Sequence, residues 1–172
     1  VLAASRSSIA FSYMGDLWLV QSDGGRAERL TVHEAYDDAP LWSPDGAAIA
    51  FTSDREGNED VYVMPASGGV PARLTVHSGW DDAQCWTRDG TAVLFTSYRD
   101  TLDAQLYSVP AGGGLPRRVI RDSAMSPAVS PDGRWIAYVR GGTEWWRKHY
   151  RGSASRDIWL RAFDGGPSFK IV

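Results

Sequence analysis

The chain repeats itself, and this repeat constrains the possible folds more than any other feature of the sequence. The tetrapeptide at 43–46 (SPDG) returns at 87–90 (TRDG) and at 130–133 (SPDG), with offsets of 44 and 43 residues. Proline presets φ in such a turn, aspartate caps it, and glycine accepts a positive φ. A repeat of this length indicates one supersecondary unit that is stacked several times along the chain.

Four short runs of β-branched, aromatic and small apolar residues make up each unit. The runs that follow the turns are 8–12, 48–53, 92–97 and 135–140; the next are 16–20, 60–64, 105–109 and 157–161; the third set is 27–32, 72–76, 117–120 and 168–172; and the runs that precede the turns are 38–42, 82–86 and 126–129. A Gly-Gly pair follows every member of the second set. The runs are too short for helices and have strand composition, so each unit is predicted to contain four strands.

Four strands in a period of about 40–45 residues are typical of a β-propeller blade. We therefore predict an all-β propeller of four-stranded antiparallel blades, with middle strands buried on both faces. At 1–4 we expect at most a stub of the first strand of the first blade. The four predicted blades are 1–34, 35–78, 79–122 and 123–172, the last with an insertion at 141–156.

Four blades are the low limit for a closed propeller, and a ring of six or seven at this period needs roughly 260–300 residues. We expect an open arc cut from a six- or seven-bladed ring, with a four-bladed ring as the alternative. Since the sequence starts with Val1, the chain is expected to be a segment of a longer polypeptide. An open arc leaves blade faces uncovered and exposed to association.

Composition excludes several functional classes. The chain is 43% apolar with 8 Trp, so it can bury a core, and its single cysteine precludes an internal disulfide. A formal net charge of −3 argues against general nucleic-acid binding or a membrane-surface role. No apolar run approaches the ~20 residues of a membrane span.

Catalytic and metal-binding patterns are missing from the sequence. It contains neither Gly-x-Ser-x-Gly nor His-Glu-x-x-His, and one Cys with three His cannot form a standard structural zinc site. Ser153 and Ser155 are weak nucleophile candidates, for which a polar loop is the simpler interpretation. We therefore predict no catalytic residue, cofactor or metal ligand.

Residues that recur in register are interpreted as scaffold. His33 and His77 occupy the same place in successive units, so we expect hydrogen-bonded structural roles. The aspartate pairs 37–38 and 81–82 also recur, which favours turn and strand-entry roles over acid–base chemistry or a cation site. Cys85 aligns with Leu41 and is expected to be a small buried hydrophobe.

The unrepeated segment 141–156 is the candidate functional element. Phe51 and Tyr62 are 11 residues apart, whereas Tyr138 and the matching Trp159 are 21 apart. Strand alternation places this insertion and the loops between blades at the same end of the propeller, and loops on a rigid scaffold often bind partners. The candidate peptide- or partner-binding residues are Trp145, Trp146, Arg147, Lys148, His149, Tyr150, Arg151 and Arg156.

Arginine and tryptophan are enriched at interface hot spots, and the insertion has a net charge of +3. It is predicted to bind a peptide carboxylate or another domain through arginine pairing and aromatic contact. A flap that packs over its own blade is the simpler alternative, and base stacking on tryptophan is a third. We expect no membrane partner and no general nucleic-acid partner, whereas a homo-oligomer is left open.

The repeats resemble the PD40 or TolB-like propeller family at 43–46 (SPDG), 49–51 (IAF), 60–62 (DVY) and 73–75 (RLT). They do not resemble WD40 repeats well, because the one Trp-Asp dipeptide, at 80–81, precedes a first strand.

A closer resemblance is to the amino-terminal propeller of tricorn-type proteases. It is carried by 9–11 (IAF) with 15–18 (GDLW), and by the insertion 145–152 (WWRKHYRG) leading into 157–160 (DIWL).

The tricorn resemblance implies a large cytoplasmic serine peptidase that degrades oligopeptides. In that family a six-bladed first propeller precedes a second propeller, a PDZ domain and catalytic domains, and the propellers act as channels or filters. The implied role of this chain is a non-catalytic segment that gates or docks peptides or other domains. The alternatives are a stand-alone TolB-like binding propeller and the amino-terminal propeller of a prolyl-oligopeptidase or amidohydrolase relative. A periplasmic or secreted location is the alternative to the cytoplasm.

Overall fold

The computed structural model describes residues 2–4, 7–142 and 155–171, and its regular structure in those ranges is β throughout. Sixteen strands form four antiparallel four-stranded sheets, here called blades 1 to 4 in chain order. The strands are β1 (Leu2–Ala4), β2 (Ser8–Tyr13), β3 (Asp16–Gln21) and β4 (Glu28–Arg29) in blade 1; β5 (Asp37–Trp42), β6 (Ala48–Ser53), β7 (Asp60–Pro65) and β8 (Ala72–Arg73) in blade 2; β9 (Asp81–Trp86), β10 (Ala92–Ser97), β11 (Gln105–Pro110) and β12 (Arg117–Ile120) in blade 3; and β13 (Met125–Val129), β14 (Trp135–Arg140), β15 (Asp157–Ala162) and β16 (Ser168–Lys170) in blade 4. The described residues contain no helix with the length and apolar character that a membrane crossing requires.

Every blade is a simple meander in which neighbouring strands are consecutive in the chain. The first strands pack against one another, β1 on β5, β5 on β9 and β9 on β13, whereas no packing of similar extent joins the fourth strands of the described blades. The first strands therefore lie nearest the propeller axis and the fourth strands at its rim. Substantial packing joins only consecutive blades of the described chain, so the four blades form an arc without closing a ring, which confirms the predicted class of fold.

The core lies between blades, because each middle strand presents apolar side chains on both of its faces. In β6, Phe51 clusters with Leu17 of blade 1, whereas the adjacent Ala50 clusters with Phe95 of blade 3. In β10, Leu94 clusters with Tyr138 of blade 4. Since successive strand residues point to opposite faces, an unbroken apolar run fits a sheet that is covered on both sides.

The Pro-Asp-Gly turns form as their composition predicts. The Ser43 hydroxyl donates to Asp45 Oδ1 at 2.6 Å, the backbone N–H of Ala47 donates to the same oxygen at 3.0 Å, and Gly46 has a φ of 74°. These two hydrogen bonds, that of Ser43 foremost, hold the pKa of Asp45 below its ordinary value. The same hydroxyl-to-carboxylate bond recurs from Thr87 and from Ser130.

Three fourth strands are shorter than predicted, and in blade 4 the expected 168–172 ends at Lys170. The expected strand 72–76 ends at Arg73, because the Thr75 hydroxyl, instead of a backbone carbonyl, accepts the N–H of Val61 at 2.9 Å. In blade 1, the expected 27–32 is reduced to Glu28–Arg29, and Thr31 accepts the N–H of Leu17 in the same way. The expected stub at 1–4 is a three-residue strand that pairs with β2 and completes blade 1.

Candidate functional site

One end of the propeller carries the loops between second and third strands and the connections between blades. In blade 2, Arg55 crosses this end, and its Nη2 donates to both carboxylate oxygens of the fully buried Asp37 at 2.8 and 2.7 Å. Its guanidinium also lies over the rings of Phe51 and Tyr62, 5.5 and 5.2 Å from their centroids. This side chain fills the space above the aromatic pair.

Blade 3 repeats the arrangement with different residues. Arg99 Nη2 lies 2.5 Å from Asp81 Oδ2, and the guanidinium is 5.1 and 4.9 Å from the ring centroids of Phe95 and Tyr107. Asp81, like Asp37, is fully buried and begins the first strand of its blade. Each of these aspartates thus has the predicted strand-entry position and also compensates an arginine.

The second aspartate of each pair connects neighbouring blades. The Ser12 hydroxyl of blade 1 donates to Asp38 at 2.5 Å, and the Thr52 hydroxyl of blade 2 donates to Asp82 at 3.0 Å. Thr52 also accepts the N–H of Ala83 at 3.0 Å. These contacts are scaffold contacts, in agreement with the structural interpretation of the repeated pairs.

The two repeated histidines also have hydrogen-bonded structural roles, as expected. His33 Nδ1 accepts the N–H of Ala35 at 3.0 Å, and His77 Nδ1 accepts the N–H of Gly79 at 2.9 Å. Both imidazoles therefore fix the loops that lead from one blade to the next.

Blades 1 and 4 depart from this pattern. Two residues beyond the second strand, where blades 2 and 3 have Arg55 and Arg99, blade 1 has Gly15, with the Tyr36 ring against it, and blade 4 has Gly142. In blade 4, Arg140, the last residue of β14, makes contacts of the same two kinds as Arg55 and Arg99. It pairs with Asp122 at 3.1 Å, and its guanidinium lies 4.9 Å from the ring centroid of Trp159. Because no side chain extends from position 142, space opens between blades 3 and 4.

This space is a cleft of about 710 Å³, and we call it, with its outer extension, the interblade groove. A recess of about 450 Å³ shares Arg121, Asp122, Arg140 and Trp159 with it and continues to the rim of the arc. The cleft is lined by Thr101, Asp103, Gln105, Arg121, Asp122, Ser123, Arg140, Gly141, Gly142, Ser155, Asp157 and Trp159, and the recess adds Arg118, Val119, Ile120, Arg161, Gly166, Pro167 and Ser168.

Charged and amide side chains determine the chemistry of the groove. Gln105 Nε2 donates to the backbone carbonyl of Arg121, and Lys170 Nζ lies 2.9 Å from Asp157 Oδ2. Arg161 Nη1 donates to the carbonyl of Val119 at 2.8 Å, while its buried Nε has no partner within the described part of the chain. Such a surface can bind carboxylates and amides by hydrogen bonding and present an indole to an apolar group.

Most of the predicted binding residues lie outside the described ranges: Trp145, Trp146, Arg147, Lys148, His149, Tyr150 and Arg151. Arg156 is described; it is exposed and directly precedes Asp157 of the groove. The sequence reasoning missed Arg121, Arg140 and Trp159. The signal that could have found them is the loss, in the fourth repeat, of the arginine that the second and third repeats carry two residues beyond the second strand.

Within residues 2–4, 7–142 and 155–171, no group of three or more His, Cys, Asp or Glu side chains is placed to hold a metal ion. The Ser155 hydroxyl donates to Asp157 at 3.2 Å, which fits its interpretation as a polar loop residue. Burial raises the pKa of the Cys85 thiol to about 12, so that thiol stays protonated.

Comparison with known proteins relates the whole arc to one family. Residues 3–172 match the family model described as the tricorn protease N-terminal beta propeller domain. The chain is 41% identical over 54 residues to tricorn protease homolog 1 of Streptomyces coelicolor, an alignment that covers 31% of this chain and 5% of that protein.

Two solved structures share the arrangement of blades. The structure of a putative TolB from Agrobacterium tumefaciens matches with a TM-score of 0.77 and 25% identity, over 95% of this chain and 60% of that one. A crystal structure of the tricorn protease matches with a TM-score of 0.73 and 16% identity, over 98% of this chain and 16% of that one. The chain therefore spans only part of the length of each of these proteins.

Proposed function

Because this chain belongs to the family of tricorn protease N-terminal β-propeller domains, we propose that it is a non-catalytic docking segment of a serine peptidase. In this proposal, the interblade groove and the adjacent insertion bind peptides or neighbouring domains during proteolysis. The observation that carries the proposal is the groove between blades 3 and 4, where Gly142 stands in the place of Arg55 and Arg99 of blades 2 and 3.

The contacts in the groove suit a peptide with a free carboxylate. Arg140 is held by Asp122 and Trp159, so its guanidinium is already ordered before a ligand arrives. Arg121 lines the same groove and is exposed, and the exposed Arg156 directly precedes Asp157 of the groove; both can pair with a carboxylate. Trp159 offers an aromatic surface to an apolar side chain of the same peptide.

A peptide pair that differs only in its terminus tests this proposal. A fluorescent octapeptide of alanine, glycine and phenylalanine with a free carboxylate should bind more tightly than its C-terminal amide, measured by anisotropy. Arg121→Ala with Arg156→Ala should remove that preference. Arg134→Ala is the matched control, since Arg134 is exposed and pairs with Asp132 in a Pro-Asp-Gly turn at the opposite end. Equal binding of the acid and the amide would contradict the proposal.

The insertion has its own test. Arg147→Ala with Arg151→Ala is expected to weaken peptide or partner binding while the free energy of unfolding changes by less than ~1 kcal/mol. Parallel losses of binding and stability would instead favour a flap that packs on its own blade.

A protein-binding propeller of the TolB type is the second candidate function, because the putative TolB structure matches 95% of this chain. In that case a folded protein, instead of a peptide, would occupy the loop-bearing end. A peptidase domain in the same reading frame would argue against this candidate. We propose a cytoplasmic location for the peptidase segment; cell fractionation distinguishes it from a periplasmic or secreted one.

A further inference from the structure

Exposed apolar side chains collect on the loop-bearing end of blades 1 to 3. The connections 31–38 (TVHEAYDD) and 75–82 (TVHSGWDD) repeat one pattern, and they leave Tyr36 58% exposed and Trp80 63% exposed. Other large exposed apolar residues at this end are Tyr13, Met14, Val32, Val76, Tyr98 and Leu102; those in the turns of the opposite end, within the described ranges, are Val70 and Leu115. Clustered exposed apolar side chains of this kind are typical of interaction surfaces.

The two aromatic side chains are held in place by their surroundings. The backbone N–H of Tyr36 donates to Asp54 Oδ1 at 2.7 Å, and its ring lies against Gly15, where a Cβ would stand 3.4 Å from Tyr36 Cδ2. His77 fixes the loop that carries Trp80 through its hydrogen bond with Gly79. An ordered aromatic group loses little conformational entropy when a partner binds.

Carboxylates surround these aromatic groups. Burial raises the pKa of Glu59, and repulsion from Asp82, Asp54 and Asp38 raises it further. The four carboxylates therefore lie close enough to form one region of negative potential. Arg55 and Arg99, the basic residues of the adjacent loops, are directed into the fold, where they pair with Asp37 and Asp81. No lysine or arginine of the described ranges forms an ion pair with Asp54, Glu59 or Asp82.

We propose that this acidic aromatic rim, formed by Tyr36, Asp54, Glu59, Trp80 and Asp82, binds a basic polypeptide segment in which lysine or arginine alternates with apolar residues. Exposed indole and phenol rings attract a cation over their faces, and nearby carboxylates strengthen that attraction. The exposed valines and methionine at the same end can contact the apolar side chains of the segment. The rim shares no residue with the interblade groove, so the proposal does not depend on the groove.

Two synthetic peptides of opposite charge test the rim. A labelled dodecapeptide with three Lys-Leu-Ser-Gly repeats should bind the 172-residue chain, whereas the corresponding Glu-Leu-Ser-Gly peptide should bind at least about tenfold more weakly. Raising the salt concentration from about 50 mM to about 300 mM should weaken binding of the basic peptide, because Asp54 and Glu59 are exposed. Equal affinity for the two peptides would overturn the proposal.

Substitutions locate the binding on the rim. Trp80→Ala and Glu59→Gln should each raise the Kd of the basic peptide about three- to fivefold, and together about tenfold or more. Leu115→Ala and Glu28→Gln are matched controls away from the rim, and both should leave the Kd unchanged, as should Arg121→Ala in the groove. Circular dichroism and thermal unfolding verify that each variant is folded. A folded Trp80→Ala, Glu59→Gln double variant with unchanged affinity would overturn the assignment, as would an equal loss in the control variants.

Discussion

Arg99→Met should strongly destabilise the fold, because it removes the cation that compensates a buried carboxylate. Asp81 has a fully buried side chain and lies 2.5 Å from Arg99 Nη2, whose own side chain is 13% exposed. Methionine keeps much of the packing between Phe95 and Tyr107 but leaves the Asp81 charge unpaired. Breaking a buried ion pair in this way costs about 3–5 kcal/mol of unfolding free energy.

The loss should depend on pH in a defined direction. Burial raises the pKa of Asp81 above its ordinary value, and the Ser97 hydroxyl and Arg99 oppose that rise, so removing Arg99 raises the pKa further. A carboxylate whose folded pKa lies above its unfolded pKa is not destabilising below the unfolded value, and its penalty develops fully as pH rises through the folded value. The deficit of Arg99→Met should therefore be smaller near pH 4 than near pH 8.

Equilibrium urea unfolding at the two pH values measures both effects. The double variant Asp81→Asn, Arg99→Met should recover part of the loss, because an amide carries no charge to compensate. Arg118→Met is the matched control: Arg118 pairs at 3.2 Å with Asp100, which is half exposed, and its loss should stay within about 1 kcal/mol. The reasoning is refuted if Arg99→Met is no worse than Arg118→Met, or if its deficit is the same at both pH values.

Three further outcomes can be measured on the same chain. Phe95→Ala should lower the unfolding free energy by about 3–5 kcal/mol in urea titrations, since its side chain is fully buried between blades 2 and 3. Gly46→Ala should lower the unfolding free energy by about 1–2 kcal/mol in thermal unfolding, because the backbone φ at this position is +74°. A new Cβ there would have no atom within 4 Å, so the cost comes from the backbone alone. Gly142→Ala is the control and should be neutral, since that position has open space and no positive φ. Cys85 is half-buried and its pKa is raised to about 12, so it should react with iodoacetamide at pH 8 much more slowly in the folded chain than in urea; equal rates would contradict the raised pKa.

The strands could be predicted because their determinants are local. The apolar runs at Ala48–Ser53, Ala92–Ser97 and Trp135–Arg140 are bounded by turn residues, and the structure places strands over these same residues. The fourth strands were predicted less well. Thr31 and Thr75 look like strand residues by propensity, but their hydroxyls replace a backbone acceptor and end the pairing early.

The interblade groove could not be predicted in the same way, because its contacts join distant parts of the chain. Arg55 and Asp37 are 18 residues apart, and nothing local to either residue identifies the other as its partner. The effect of Gly142, which stands in the place of an arginine, can be recognised only after that ion pair has been seen in the structure. The insertion directed attention to the end of the propeller at which the groove opens, but not to Arg140 and Trp159 on the neighbouring strands.

Repetition in register identifies scaffold residues reliably only when it is combined with burial. Asp37 and Asp81 recur and are fully buried, and their contacts explain why each blade needs them. Tyr36 and Trp80 recur immediately before them but remain more than half exposed, so blade packing does not account for their aromatic rings. A repeated loop can thus serve two purposes at adjacent positions: its aspartate anchors the blade, while the preceding aromatic residue is presented to solvent at a spacing set by the blades. Binding surfaces of a propeller should accordingly be sought among repeated exposed residues as well as in unrepeated insertions.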